Sequence, residues 1–262
     1  MKIPIFQVDA FADQLFRGNP AAVCPLDTWL DDEVLQAIAA ENNLAETAFY
    51  VASDDGYRLR WFTPTTEVDL CGHATLAAAH VLFKGLPAGV QQVEFDTRSG
   101  KLRVMRESDC LTLDFPSQVG LRCEAPKALV EGLGVEPLEC YRAMDYMAVL
   151  TSEAAVRDVK PDFRRLNELD LRGVIITAPG QNVDFVSRFF APRFGIDEDP
   201  VTGSAHCTLA PYWAKRLGRT TLEATQLSKR TGMVRCRVEA DRVFLSGKTV
   251  EYLEGTIEIP VR

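Results

Sequence analysis

Long apolar runs, paired cysteines and basic stripes are all missing from this chain of 262 residues, and each absence removes a class of function. No stretch approaches the roughly 18 consecutive apolar residues of a membrane span. The segment Met1–Asp9 lacks the apolar run and small-residue cleavage site of a secretory signal, so no membrane partner is expected. Seven cysteines, odd in number and scattered, form no CxxC pair. That pattern supports neither a disulfide framework nor a structural zinc site, and it points to a reducing, cytoplasmic setting. The three histidines, His73, His80 and His206, are too dispersed for a metal-site pattern. A formal net charge of -8 without a dense positive stripe argues against nucleic acid. GxGxxG, Walker and HExxH motifs are also lacking, which disfavours a Rossmann-type nucleotide fold.

The chain does say a similar thing twice. Phe62-Thr63-Pro64 is followed by Asp69-Leu70-Cys71-Gly72-His73 and a run of small apolar residues. Phe190-Ala191-Pro192 is followed by Asp199-Pro200-Val201-Thr202-Gly203-Ser204 and a similar run. The two glycines lie half a chain length apart. This echo predicts two related halves, each delivering a Gly-led helix start to one shared site.

Periodicity fills in the halves. Strands are expected at 3–8, 21–24, 47–51 and 57–62, with a turn at 54–56. Asp31 is a candidate N-cap for a helix ended by Asn42-Asn43. The runs 72–83 and 203–217 predict helices that are apolar on nearly all sides and enclosed by protein, the second ended by Gly218. Strands at 91–95, 101–107 and 111–115 follow the first enclosed helix. Later strands are expected at 144–150, 173–177, 184–190 and through 221–259, with a short helix at 162–169. Sheet-rich halves around an enclosed helix make an α+β fold. The division falls at residues 1–120 and 121–262, with the termini free to cross from one half to the other.

Several residues offer chemistry. Backbone N–H groups at Gly72-His73 and at Gly203-Ser204 form concave anion sites, which predicts a small carboxylate-bearing molecule. Glu46 is the candidate proton carrier, since a desolvated carboxylate can take a proton from carbon and return it elsewhere. Alternatively, it is a glutamate on a solvated strand edge. His73 is either a substrate ligand and proton shuttle or a satisfied structural imidazole. Asp199 orients a substrate group or caps the second helix. Cys71 is a thiol with a lowered pKa at a helix start or a small core residue.

The ordered motifs Gln7-Val8-Asp9-Ala10-Phe11, Gly18-Asn19-Pro20-Ala21-Ala22-Val23, Ala45-Glu46-Thr47-Ala48-Phe49 and Arg60-Trp61-Phe62-Thr63-Pro64 carry a family resemblance. So do the two helix starts with their flanks. The sequence resembles the phenazine-biosynthesis-like isomerase family and, within a wider fold group, diaminopimelate epimerase. The resemblance implies two similar halves, each a curved sheet or barrel around a central helix, and a homodimer. It also implies cofactor-free proton transfer, with Glu46 matching the acid/base glutamate. His73, Asp199 and Ser204 match the substrate-contacting residues. The epimerase relatives use two thiols, and Thr202 stands where the second would be. An epimerase or racemase pairing Cys71 with a non-thiol group is therefore one alternative, and a non-catalytic carboxylate-binding protein is another.

Overall fold

The computed structural model describes residues 1–54 and 56–259; Asp55, within the turn expected at 54–56, lies outside the described residues. The chain forms two compact units. The first comprises Met1–Asp114 and the segment from Ser246 onward, and the second comprises Phe115–Leu245. The last segment joins the first unit, the kind of crossing by a terminus that the division at 120/121 left open. The reason is backbone pairing that runs from Lys2↔Glu258 to Ala10↔Thr249.

The first unit contains β1 (Lys2–Ala10), β2 (Asn19–Leu26), α1 (Asp32–Asn42), β3 (Glu46–Ser53), β4 (Gly56–Phe62) and β5 (Glu67–Val68). It continues with α2 (Gly72–Gly85), β6 (Gln92–Thr97), β7 (Gly100–Glu107) and β8 (Cys110–Pro116). The second contains β9 (Leu121–Cys123), α3 (Lys127–Leu133), β10 (Glu139–Arg142), β11 (Tyr146–Val149), α4 (Glu153–Asp158) and α5 (Phe163–Leu166). It continues with β12 (Val174–Pro179), β13 (Phe185–Ala191), β14 (Ile196–Asp199), α6 (Gly203–Leu217), β15 (Thr221–Gln226), β16 (Gly232–Glu239) and β17 (Arg242–Gly247). Finally, β18 (Thr249–Glu258) lies against β1.

The internal echo extends to topology. In the first unit, β1–β2 is antiparallel, β2–β3 parallel, β3–β4 antiparallel, β4–β6 parallel and β6–β7 antiparallel. In the second, β10–β11, β11–β12, β12–β13, β13–β15 and β15–β16 repeat that alternation in order. One enclosed helix, α2 or α6, enters at the same point of each series. The fold is α+β.

Burial follows the side-chain alternation of the strands. Phe49 of β3 joins Leu35, Ile38 and Ala39 of α1 in one apolar cluster. Alternation therefore sends Glu46, Ala48 and Tyr50 to the other face, where α2 packs. Residues His73 to Ala79 of α2 are all buried, which explains the run of small side chains: larger ones would hold the strands away from the helix. In the second unit, α3, α4 and α5 cover the opposite face of β11–β13 with Leu129, Leu133, Val156 and Leu166.

Asp31 stands at the N-cap of α1, but its side chain makes no capping bond; its carbonyl instead accepts from Val34 and Leu35. Asn43 and Gly218 end their helices in the left-handed conformation, as their positions suggested.

Candidate active site

The first unit gathers Asn19, Glu46, Cys71 and His73 into one buried group. Glu46 opens β3, at the point where that strand begins its parallel pairing with Ala21. Asn19 opens β2 immediately after Gly18, whose φ of +62° and close approach to the Ala10 carbonyl leave no room for a side chain. Cys71 and His73 flank the first residue of α2.

His73 is the hub of this group. Its Nε2 lies 3.1 Å from Glu46 Oε2, and both side chains are buried. Among the described residues, neither atom has an aligned hydrogen-bond partner. The two atoms are close enough to attract but are not oriented to satisfy each other. On the opposite edge of the ring, Nδ1 lies 3.2 Å from Asn19 Nδ2 and 3.5 Å from Cys71 Sγ. In the neutral ring, this orientation of the Asn19 amide makes Nδ1 the acceptor and puts the proton on Nε2, on the Glu46 side; in the protonated ring both nitrogens carry protons, and the amide turned over would accept from Nδ1.

Electrostatics reinforce the pairing. Burial draws the His73 pKa down, but the negative charge of Glu46 and the hydrogen-bonding contact with Cys71 push it up and leave it well above 6.5. Burial also pushes the Cys71 thiol up to about 11, with the Glu46 charge adding to that shift. Cys71 is therefore a protonated thiol at neutral pH, and the lowered pKa considered for a helix-start cysteine does not arise. Glu46, Cys71 and His73 each bring a potential ligand atom within 4.8 Å of the others. The imidazole, however, turns opposite nitrogens toward its two neighbours, Nε2 to Glu46 and Nδ1 to Cys71, so the three ligand atoms do not converge on one point through a single ring nitrogen.

The second unit holds a different group at the start of α6. Asp199 ends β14, and its Oδ2 accepts a 2.5 Å hydrogen bond from Thr202 Oγ1. Thr202 stands at the N-cap of α6 without a capping bond from its own side chain. Gln226 locks the turn by accepting from the Thr202 N–H at 2.9 Å and donating to the Asp199 carbonyl at 2.8 Å. Gly203 and Ser204 begin the helix, and Ser204 Oγ accepts from Arg172 Nη2 at 2.9 Å.

His206 lies in the first turn, with Nδ1 2.8 Å from the Thr202 carbonyl. Burial lowers its pKa to about 4, so the ring is neutral and Nδ1 carries the donated proton. His80 is half-buried and bonds Thr249 at 2.8 Å, a packing role.

Thus Glu46, Gly72 and His73 come together in one unit, while Asp199, Gly203 and Ser204 come together in the other. The sequence motifs contained Asn19 without revealing its contact with His73. Arg172, Asp145 and Gln226 belong to no motif. The only sequence trace of the first two is a charged residue just ahead of each of two apolar strands.

The model of the phenazine biosynthesis-like protein family matches residues 8–255. The chain belongs to that family. Among phenazine biosynthesis-like relatives, an uncharacterized isomerase of Pseudomonas aeruginosa is 55% identical over 259 residues, spanning 99% of this chain and 100% of its own. A crystal structure of a PhzF-family phenazine biosynthesis protein from Enterococcus faecalis superposes with a TM-score of 0.96 at 46% identity, covering 99% of this chain and 100% of that one. A hydroxyproline epimerase from Agrobacterium vitis shares the fold, with a TM-score of 0.65 at 8% identity over 98% of this chain and 92% of that one. Phenazine biosynthesis-like proteins thus include relatives named isomerases, and their fold resembles that of epimerases and racemases. Among the described residues, no helix is long and apolar enough to cross a membrane.

Proposed function

We propose that this protein is an isomerase that moves a proton on a small carboxylate-bearing metabolite, with Glu46 as the acid/base group and no cofactor. The observation that carries this reading is the pair formed by Glu46 Oε2 and His73 Nε2, both buried, 3.1 Å apart and without aligned partners among the described residues. Leaving two such groups unsatisfied is costly to a fold, so a ligand that completes their hydrogen bonds gives the arrangement a purpose.

In the proposed step, the Glu46 carboxylate forms an O–H bond as a substrate C–H bond breaks. The electron pair delocalises into the neighbouring unsaturated system. The same carboxyl group then returns the proton to another carbon, restoring the carboxylate. His73 donates from Nε2 to a substrate oxygen, which stabilises the charge that develops between the two transfers. Asp199, Gly203 and Ser204 belong to the proposal as ligand-contacting groups of the second unit, and the active species is a homodimer.

The test is solvent deuterium incorporation across a panel of small unsaturated carboxylic acids. Wild-type protein should introduce deuterium at carbon. Glu46→Gln should lower that rate by about 10²–10⁴-fold while leaving ligand binding intact. Exchange undiminished by this substitution would remove Glu46 from the reaction.

The 3.5 Å contact between Cys71 Sγ and His73 Nδ1 favours a second reading, an epimerase that uses the thiol. Cys71→Ala separates the two: the one-base reaction survives it, and thiol chemistry does not.

A further inference from the structure

The same strand junction in the two units bears opposite charge. In the first unit, the helix-start residue His73 faces the carboxylate of Glu46, which opens β3. In the second, the helix-start residue Ser204 faces the guanidinium of Arg172, two residues ahead of β12. These strands hold equivalent places in the repeated topology, since each pairs in parallel with the strand before it and antiparallel with the strand after it.

Arg172 is held in one orientation. Its Nε and Nη2 donate to Asp145 Oδ1 and Oδ2 at 2.9 and 2.5 Å. Asp145 is 2% exposed, and among the described residues its side chain pairs with this guanidinium alone. The Phe189 ring lies under the guanidinium carbon at 5.3 Å and limits its tilt. Burying a carboxylate this deeply costs more than a surface ion pair returns, so stability alone is a poor reason for the arrangement.

The remaining donors point to a ligand. The Arg172 side chain is 31% exposed, and its Nη1 has no hydrogen-bond partner among the described residues. Ser204 Oγ already accepts from Nη2, so its own proton is left to donate. With Asp145 occupying the Nε–Nη2 edge, the Arg172 Nη1 and the Ser204 hydroxyl remain as adjacent donors, a match for the two oxygens of a carboxylate.

We propose that Arg172, oriented by Asp145, is a carboxylate-binding residue of the second unit and works together with the Ser204 hydroxyl. Neither the binding nor its test requires turnover, so the result remains readable whatever Glu46 does.

The experiment uses benzoate and its uncharged analogue benzamide as probes. Wild-type protein is treated with phenylglyoxal, which modifies accessible arginines, and Arg172 is followed by peptide mass spectrometry. Benzoate should slow modification of Arg172 at least fivefold, and benzamide should not. Calorimetric titration of the double variant Asp145→Asn, Arg172→Gln, which removes both charges together, should show benzoate affinity reduced about tenfold. Equal modification rates with and without benzoate overturn the proposal. So does wild-type benzoate affinity in a folded double variant, or a wild-type protein that binds benzoate no better than benzamide.

Discussion

Arg188 grips Glu198 through paired hydrogen bonds of 2.7 and 3.0 Å, joining β13 to the short strand that leads into α6. The first unit makes the same clasp, with Arg60 on Glu67 at 2.7 and 2.8 Å. Arg188 also donates from Nη1 to the Val156 and Val159 carbonyls around the end of α4. Each unit thus uses an arginine–glutamate fork to fix the strand ahead of its enclosed helix.

Arg188→Leu should therefore be among the more damaging single changes. It strands Glu198 and two buried carbonyls, a loss of about 3–5 kcal/mol. Urea unfolding measures it, and a loss below about 1 kcal/mol would show that the clasp is not a stabilising element.

With only three histidines, their titrations can be resolved individually by NMR of the imidazole C–H groups. His73 should titrate above 6.5, His80 below it, and His206 near 4. The linked stabilities have opposite signs. A His206 pKa lowered to about 4 stabilises the fold above about pH 6.5, and that contribution, about 3 kcal/mol, is lost as pH falls toward 4. The raised His73 pKa stabilises the fold below about pH 6.5, and its contribution fades as pH rises through the folded value. His206→Gln should flatten the acid side of the stability profile and His73→Gln the alkaline side.

The cysteines should separate by access. Cys110 and Cys123 are partly exposed and should react first with a thiol reagent, whereas Cys24, Cys71, Cys207 and Cys236 are buried and should wait for unfolding. Cys123 lies directly across from Cys140 on antiparallel strands, with the sulfurs 3.7 Å apart. Such strand partners place their Cα atoms about 4.5–5.5 Å apart, within disulfide range. Mild oxidation with hydrogen peroxide, which takes up two electrons and two protons per disulfide, should join this pair. Peptide mapping would show the link, and a different pairing would refute the expectation.

Gly18→Ala should destabilise the protein by about 3 kcal/mol, combining a strained φ with overpacking. A Cβ there would lie 2.1 Å from the Ala10 carbonyl oxygen. The displacement would reach Asn19, so the His73 Nδ1 resonance should move as well. Thermal unfolding and the imidazole spectrum read the two effects independently.

The enclosed helices were legible because a run such as Ala77-Ala78-Ala79 has no polar face to offer solvent. The strands of the first unit were legible through alternation, as in Tyr57 to Phe62. Short elements were less so. The expected helix at 162–169 is the single turn Phe163–Leu166, capped by Asp162, and α4 was not anticipated at all. Its six residues are too few to establish a period. At the candidate site, Glu46 and His73 stood within recognisable motifs. Arg172 and Asp145 acquire their relation only when β11 and β12 lie side by side, and nothing local in the chain records a pairing across 27 residues.

The return of β18 to β1 bears on how the molecule is made. During synthesis, every residue of the second unit emerges before residues 249–258 do. Until then, β1 has β2 on one side and an open edge on the other. The unit that begins first is thus completed last. For most of its time on the ribosome, the nascent chain carries an unpaired strand edge that a chaperone or a neighbouring chain can reach.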